Sequence, residues 1–436
     1  MERLISVFGC FVLIGIAWLL SNNKRKINYR VVVWGLLLQL VFAVIILKTG
    51  PGQAVFVYAN VVITRLLSFT DIGAEFLFGN LYRGDPGVVK GLEEVSPRQG
   101  LPPGPFQLWS PGTKSFVNIG ISFAMHVLPT IIFFASLMSI LYHIGVMQKL
   151  VQGVAWVMAK FLGTSGAESL SVASNIFVGQ TEAPLVIRPF VAKMTQSELM
   201  AVMCGGFATI AGGVMAAYVR FGADAGHLMA ASVMSAPAAL VMAKIIFPET
   251  EQPETAGTAE INVEKTTVNV VDAAATGAAD GLKLALNVGA MLLAFYALIH
   301  LLDFGFIKIS SIFGLEEFGL KKMLGYAFAP LALVMGVEPA DALNFGYLLG
   351  TKISLNEFVA FVQLGELKET LSPRSFTIGT YALCGFANFS SIAIQIGGIG
   401  SIAPERKGDL ARLGLKAMIG GALASWLTAT IAGILI

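Results

Sequence analysis

The chain has 436 residues, of which 56% are hydrophobic and 13% charged, and its formal net charge is +2. A soluble globular domain carries roughly 25% charged residues, so the composition is that of a membrane protein, and its balance gives no clustered basic face for nucleic acid. Four histidines and three cysteines leave little material for a metal centre.

From the N-terminus, Leu4 to Leu20 is apolar and long enough to approach a span, and Lys24, Arg25, Lys26 and Arg30 follow it. A signal peptide carries its charge ahead of the apolar stretch and a small-residue cleavage site behind it; neither pattern is clear here. The positive-inside rule then runs this helix from outside to cytoplasm, with the N-terminus outward. Further spans are expected at Val31 to Leu47, Phe116 to Leu141, Leu199 to Val219, His227 to Ile246, Leu282 to Leu302, Phe376 to Ile399 and Lys416 to the C-terminus, each near the roughly 20 residues that cross a bilayer. Eight crossings return the C-terminus to the outside and leave Arg406, Lys407, Arg412 and Lys416 in the cytoplasm. Lys321, Lys322, Lys368 and Arg374 fall on the outer side, so the rule is obeyed on balance and not everywhere. Arg83 to Lys114, rich in Gly and Pro, reads as an outer loop. Pro248 to Lys265 reads as an acidic cytoplasmic linker with the composition of disorder.

Polar landmarks recur along the chain. Lys149 to Gly163 aligns without gaps on Lys322 to Gly336, after which Glu168 and Leu170 meet Asp341 and Leu343. A short insertion brings Glu182 opposite Glu357, and a further one brings Cys204-Gly-Gly-Phe-Ala-Thr209 opposite Cys384-Gly-Phe-Ala-Asn388. An odd number of crossings separates the copies, so they are oppositely oriented. Inverted repeats with polar, broken segments at matching positions mark secondary transporters whose site lies at the repeat interface.

Within the first copy, Asn175 to Glu182 is too polar for a lipid-facing helix, since a carboxylate at mid-membrane costs roughly 2.5–3.5 kcal/mol. The apolar arms on either side, Glu168 to Ile176 and Ala183 to Phe190, are each too short to span. They suit a re-entrant helical hairpin unwound at Gly179, with Pro184 tolerated in the first turn of the second arm. The repeat then predicts a second hairpin over Glu338 to Leu364, with Ser354, Asn356 and Glu357 at its tip.

Gly179-Gln-Thr-Glu-Ala-Pro-Leu185, Gly205-Gly-Phe-Ala-Thr-Ile-Ala-Gly212 and Gly385-Phe-Ala-Asn-Phe-Ser-Ser-Ile392 resemble the signature segments of the concentrative nucleoside transporters. The likeness extends over essentially the whole chain and is to the shorter bacterial form with eight spans. It implies an all-α polytopic fold with two re-entrant hairpins in inverted repeats. It also implies a homotrimer in the bacterial cytoplasmic membrane, both termini outside, importing nucleosides such as uridine, cytidine or adenosine. In this reading residues 1–145 and 281–335 form a scaffold, 146–246 and 336–436 form the repeats that move as an elevator, and 247–280 link them.

The resemblance assigns the nucleobase to Gln180, Thr181 and Glu182. It assigns the ribose to Glu357, Asn388 and Ser391, with Phe386 as an apolar contact. These types suit the task, because a carboxylate accepts hydrogen bonds from two adjacent hydroxyls while Gln and Thr match a base edge carrying donors and acceptors. Sodium, as the coupling ion and in place of any cofactor, is assigned to Asn175, Val178, Thr209 and Ile210. The alternatives are proton coupling and a carrier of another neutral polyhydroxylated solute.

Other classes fit less well. The sequence has no His-Glu-x-x-His and no Gly-x-Ser-x-Gly for an intramembrane hydrolase, and no enzyme is expected. His126, His143, His227 and His300 are scattered, as polar contacts at span ends. Cys10, Cys204 and Cys384 lie in apolar surroundings as buried thiols. A channel could also use polar hairpins. A dicarboxylate carrier would call for Arg or Lys at the tips, and both tips present Glu instead.

Overall fold

The computed structural model describes residues 2–78, 107–110, 115–118, 123–256, 267–314 and 318–436. The chain opens with α1 (Glu2–Leu19), α2 (Tyr29–Lys48) and α3 (Gly50–Phe78). Asn28 starts α2 by accepting the amide of Arg30 at 3.0 Å. The 29-residue α3 lies where no span was expected, because Arg65, Asp71 and Glu75 interrupt its apolar run. Arg220, far along the chain, pairs with that Asp71.

Strands β1 (Gln107–Ser110) and β2 (Ser115–Asn118) form a small antiparallel hairpin. The rest of the Gly/Pro-rich stretch 83–114 lies outside the described residues. A π-turn over Phe123–Val127 leads into α4 (Leu128–His143), and after a bend of 78° α5 (Val146–Leu162) runs across it. Gly163 ends α5 with φ +75°, and Gly336, which the repeat aligned with it, has φ +87° after α13 (below). A left-handed residue at the matching place in both copies is what a glycine supplies at a helix C-terminus.

The first hairpin comprises α6 (Gly166–Ser174), a turn, and the short helices α7 (Ala183–Val186) and α8 (Arg188–Val191). It is followed by a helix broken into α9 (Gln196–Ala208) and α10 (Gly212–Arg220), then α11 (Ala225–Ile246). The 43-residue α12 (Val270–Ile312) and α13 (Leu320–Val334) lead to the second copy. There α14 (Ala342–Ser354) and α15 (Glu357–Glu366) make the second hairpin, α16 (Pro373–Leu383) and α17 (Phe389–Ile402) the second broken helix, and α18 (Lys407–Leu435) the last span.

Among the described residues, α1, α2, the α9–α10 pair, α11 and α18 are long and apolar enough to cross a membrane. The inner layer is α9, α11 and the stretch 420–433 of α18, whose residues are almost all buried. By contrast α1, α2 and α12 leave Phe8, Phe11, Leu40, Leu293 and Phe304 exposed. Apolar faces of this extent are stable only against lipid or another protein surface. The fold is that of an all-α polytopic membrane protein.

The hairpins are fixed at their roots by polar caps. Ser165 and Glu168 form a capping box on α6, and Thr195 and Glu198 form one on α9. The two are joined by the Ser165 hydroxyl, which donates to Glu198 at 2.6 Å. Lys244 at the end of α11 pairs with Glu168 at 2.7 Å. Paired and hydrogen-bonded, these charges tolerate burial that a lone one would not.

The linker differs from its expectation. Glu249 accepts from the Thr195 hydroxyl at 2.8 Å, Glu254 pairs with Lys193 at 2.9 Å, and Thr255 accepts the amides of Gly166 and Ala167 with its carbonyl and hydroxyl oxygens. Its acidic residues therefore serve as partners for a helix N-terminus and a lysine, which composition alone does not convey. Residues 257–266 lie outside the description, and residues 270–280, expected as linker, already belong to α12.

Candidate functional site

The two hairpin tips and the two helix breaks meet in the inner layer. At the α16–α17 break Gly385 takes φ +133°, and a Cβ there would stand 2.7 Å from the Phe207 carbonyl oxygen and 2.9 Å from that of Ala208. The end of α9 thus passes directly against the opening of the second break, an approach that glycine alone permits without strain.

Glu357 opens α15 and is 4% exposed. Asn388 Nδ2 donates to one of its carboxylate oxygens at 2.9 Å, and Tyr218 Oη donates to the other at 3.2 Å. The direction of the Asn388 amide is set by the helix it caps. Its Oδ1 accepts the amide of Ser391 at 2.9 Å and the hydroxyl of Ser390 at 2.7 Å, which turns Nδ2 toward Glu357. Tyr218 is held by the second hairpin, stacked on Phe361 at 4.2 Å and edge-on to Phe358 at 5.0 Å. A carboxylate offers about four acceptor positions, so the two side-chain donors leave it acceptor capacity for a ligand hydroxyl.

Gln180 comes from the first tip and meets the same α17. Its amide donates to Ser391 Oγ at 3.2 Å, and its carbonyl accepts from Gln395 Nε2 at 3.0 Å. The Gln395 amide also donates to the Met203 carbonyl of α9 at 3.2 Å. Ser391 therefore stands between the neutral amide of one tip and the Asn388–Glu357 pair of the other.

Of the remaining residues expected here, Thr181 is half-buried and faces Gly398 of α17, and Phe386 is half-buried in the break. Glu182 is not drawn into the hydrogen-bonded cluster: its side chain is exposed, near Tyr142 of α4. Tyr218 and Gln395 were not anticipated. Each takes its role from a partner on a distant element, Glu357 for Tyr218 and Gln180 for Gln395, and the local sequence offers no signal for it.

The four residues expected to hold sodium come from the first turn and the first break. Asn175 closes α6 and donates to the Ser171 carbonyl at 3.2 Å, while its buried Oδ1 has no hydrogen-bond partner. Thr209 ends α9 and donates to the Gly205 carbonyl at 3.0 Å. Val178 lies in the turn and Ile210 in the break, where unwound backbone frees carbonyls. The Gly212 amide donates to the Phe177 carbonyl at 3.0 Å and ties the turn to the break. An orphaned buried oxygen beside unwound backbone fits a small hard cation, which takes oxygen ligands. Among the described residues no cluster of three His, Cys, Asp or Glu could hold a transition metal.

Paired hairpins whose polar tips close on two broken helices define a membrane carrier of the inverted-repeat class. Residues 8–81 match the family model for the N-terminus of Na+ dependent nucleoside transporters and 227–433 the model for their C-terminus, while 124–225 match a nucleoside recognition (Gate) model. The nucleoside permease NupC of Helicobacter pylori is 41% identical, over 100% of this chain and 98% of its own. An uncharacterized transporter of Haemophilus influenzae is 43% identical, again over 100% of this chain and 98% of its own. The structure of CNTnw in an inward-facing, substrate-bound state superposes with a TM-score of 0.88 at 41% identity, covering 100% of this chain and 98% of that one. The chain belongs to the concentrative, sodium-dependent nucleoside transporter family.

Proposed function

We propose that the protein imports nucleosides such as uridine, cytidine or adenosine by sodium symport across a bacterial cytoplasmic membrane. In this reading it is a homotrimer with both termini outside. Residues 1–145 and 281–335 form the static scaffold, and the two repeats, 146–246 and 336–436, carry the substrate across as an elevator. The observation that carries it is the buried carboxylate of Glu357, braced by Asn388 and Tyr218 at the meeting of the second tip and the second break.

The ribose hydroxyls donate to Glu357, and Asn388 and Ser391 contact the sugar from the start of α17. The base lies toward Gln180 and Thr181, with Phe386 against its apolar face and Glu182 at the outer margin of the tip. Sodium is held by the Asn175 and Thr209 oxygens with the carbonyls of Val178 and Ile210. Ion binding there ties the first turn to the first break, which orders Gln180 and raises nucleoside affinity without direct contact. Linkage requires nucleoside to raise sodium affinity by the same factor.

The driving force is adequate. One sodium moving down a ten-fold gradient supplies about 1.4 kcal/mol and a 100 mV potential about 2.3 kcal/mol. Together they sustain an accumulation on the order of several hundred-fold.

Uptake of labelled uridine and adenosine into proteoliposomes, under an imposed sodium or proton gradient, tests substrate and ion together. Saturable accumulation driven by sodium is expected, with Asn175→Ala needing a higher sodium concentration for half-maximal uptake. Accumulation that follows protons and ignores sodium would remove the ion assignment and leave the nucleoside site standing. Absence of competition by nucleosides would favour another polyhydroxylated solute.

A further inference from the structure

The second hairpin carries a buried cation that this transport cycle leaves without a role. Lys352 lies in the last turn of α14, and its side chain is wholly enclosed. An ammonium out of water is tolerated only where its donors are satisfied and its charge is balanced. Two of its hydrogens are accounted for: Nζ donates to the Ala382 carbonyl at 2.8 Å and to Ser425 Oγ at 2.8 Å. Ser425 is free to accept, since its own hydroxyl hydrogen goes to the Ala422 carbonyl at 3.0 Å.

The Ala382 contact has a particular position. Ala382 is in the last turn of α16, where the carbonyls have lost their helical partners because the helix ends at Cys384. A cation there also meets the negative end of the helix dipole. The chain then passes through Gly385 and arrives at Asn388, whose amide reaches Glu357. Lys352 therefore joins the first arm of the hairpin to the very break that presents Asn388 to the second arm.

We propose that Lys352 is the positioning residue for the sugar-binding carboxylate: it clamps the end of α16 so that Asn388 meets Glu357. The inference rests on the reading of Glu357 as the acceptor of the ribose hydroxyls.

Binding of uridine and of 2′,3′-dideoxyuridine to the purified full-length protein in saturating sodium tests it, because the second ligand lacks the hydroxyls that Glu357 would hold. Lys352→Met should weaken uridine by about ten-fold or more, the range for loss of a charge-assisted hydrogen bond, and shift dideoxyuridine by no more than about two-fold. Added to Glu357→Gln it should cost no more than about two-fold further for uridine, since residues acting through one network are not additive. Equal losses for both ligands, or additive losses in the double variant, would overturn the proposal. Should Lys352→Met fail to fold, Ser425→Ala, which removes one anchor and keeps the charge, decides it. A loss confined to uridine supports the clamp, and an equal or absent loss overturns it. Glu357→Gln is read separately with Lys352 intact: if that variant does not distinguish the two ligands, the sugar assignment itself falls, and the role of Lys352 with it.

Discussion

The two hairpin tips follow one sequence pattern and are built with different regularity. In the second, only Leu355 and Asn356 separate α14 from α15. Asn356 caps the new helix by accepting the Val359 amide at 2.9 Å, and Glu357 follows directly, with a donor on each oxygen. In the first, the irregular run 175–182 separates α6 from α7, and the returning arm is split again at Ile187. Its central side chain is a neutral amide bonded to another amide and a hydroxyl. With the sugar assigned to the second tip and the base to the first, as proposed above, the contrast matches what each would recognise. Every ribonucleoside presents the same pair of hydroxyls, which a rigid, charged acceptor serves well. Bases differ in the order of donors and acceptors, and an amide on an irregular turn can offer either.

Exchanging the chemistry at each tip breaks the comparison most severely. Glu357→Gln should lower uridine affinity by about ten-fold or more, since a hydrogen bond to a charged group is worth roughly 1.5–3 kcal/mol. Gln180→Leu should cost about ten-fold at most, the neutral range of roughly 0.5–1.5 kcal/mol, and should change the ratio of uridine to adenosine affinity. Competition binding with both nucleosides separates the outcomes. A larger loss at Gln180, or an unchanged uridine to adenosine ratio, would show that the amide tip is not the adaptable one.

A finer probe asks how the carboxylate keeps its geometry. Tyr218→Phe removes one of the two donors to Glu357 while the ring keeps its stacking on Phe361. Affinity for uridine should fall by about two- to ten-fold, the cost of roughly 0.5–1.5 kcal/mol for one hydrogen bond, with the preference between bases unchanged. A shift in that preference would mean that Tyr218 faces the base and not the sugar carboxylate.

How much of this was legible in the sequence depends on how far apart the partners are. The first tip stood out because a run of polar residues within apolar sequence has no lipid-facing solution. Gly163 and Gly336 aligned because a left-handed cap leaves a glycine in the text. Tyr218, Lys352 and Gln395 take their meaning from partners on other elements: Glu357 for the first, Ala382 and Ser425 for the second, Gln180 and Met203 for the third. No local pattern announces such pairs. The α3 helix escaped notice because three charged residues lower its apolarity, and one of them, Asp71, pairs with Arg220 of the distant α10. Residues 249–255 have a disordered composition until the cationic and amide partners they meet are known.

The smallest expected effect concerns the root of the first hairpin. There Thr255 accepts the Ala167 amide through its hydroxyl at 3.1 Å and the Gly166 amide through its carbonyl at 3.0 Å. Thr255→Val keeps the shape and the backbone contact but leaves the Ala167 amide, which is buried, without its acceptor. Loss of such a cap costs about 1 kcal/mol. In a chain of this size that should lower the thermal midpoint by no more than a few degrees. Because the change lies at the far end of α6 from Asn175, and the Ser165–Glu168 capping box still holds the helix, uridine and sodium affinities should stay within about two-fold of their original values. Thermal unfolding and binding measured on one preparation check both halves. A fall in sodium affinity out of proportion to the lost stability would show that the first tip is governed from its root, through the linker segment that joins α11 to α12. Its irregular turn would then be looser than the second tip in conformation and still coupled to the linker in energy.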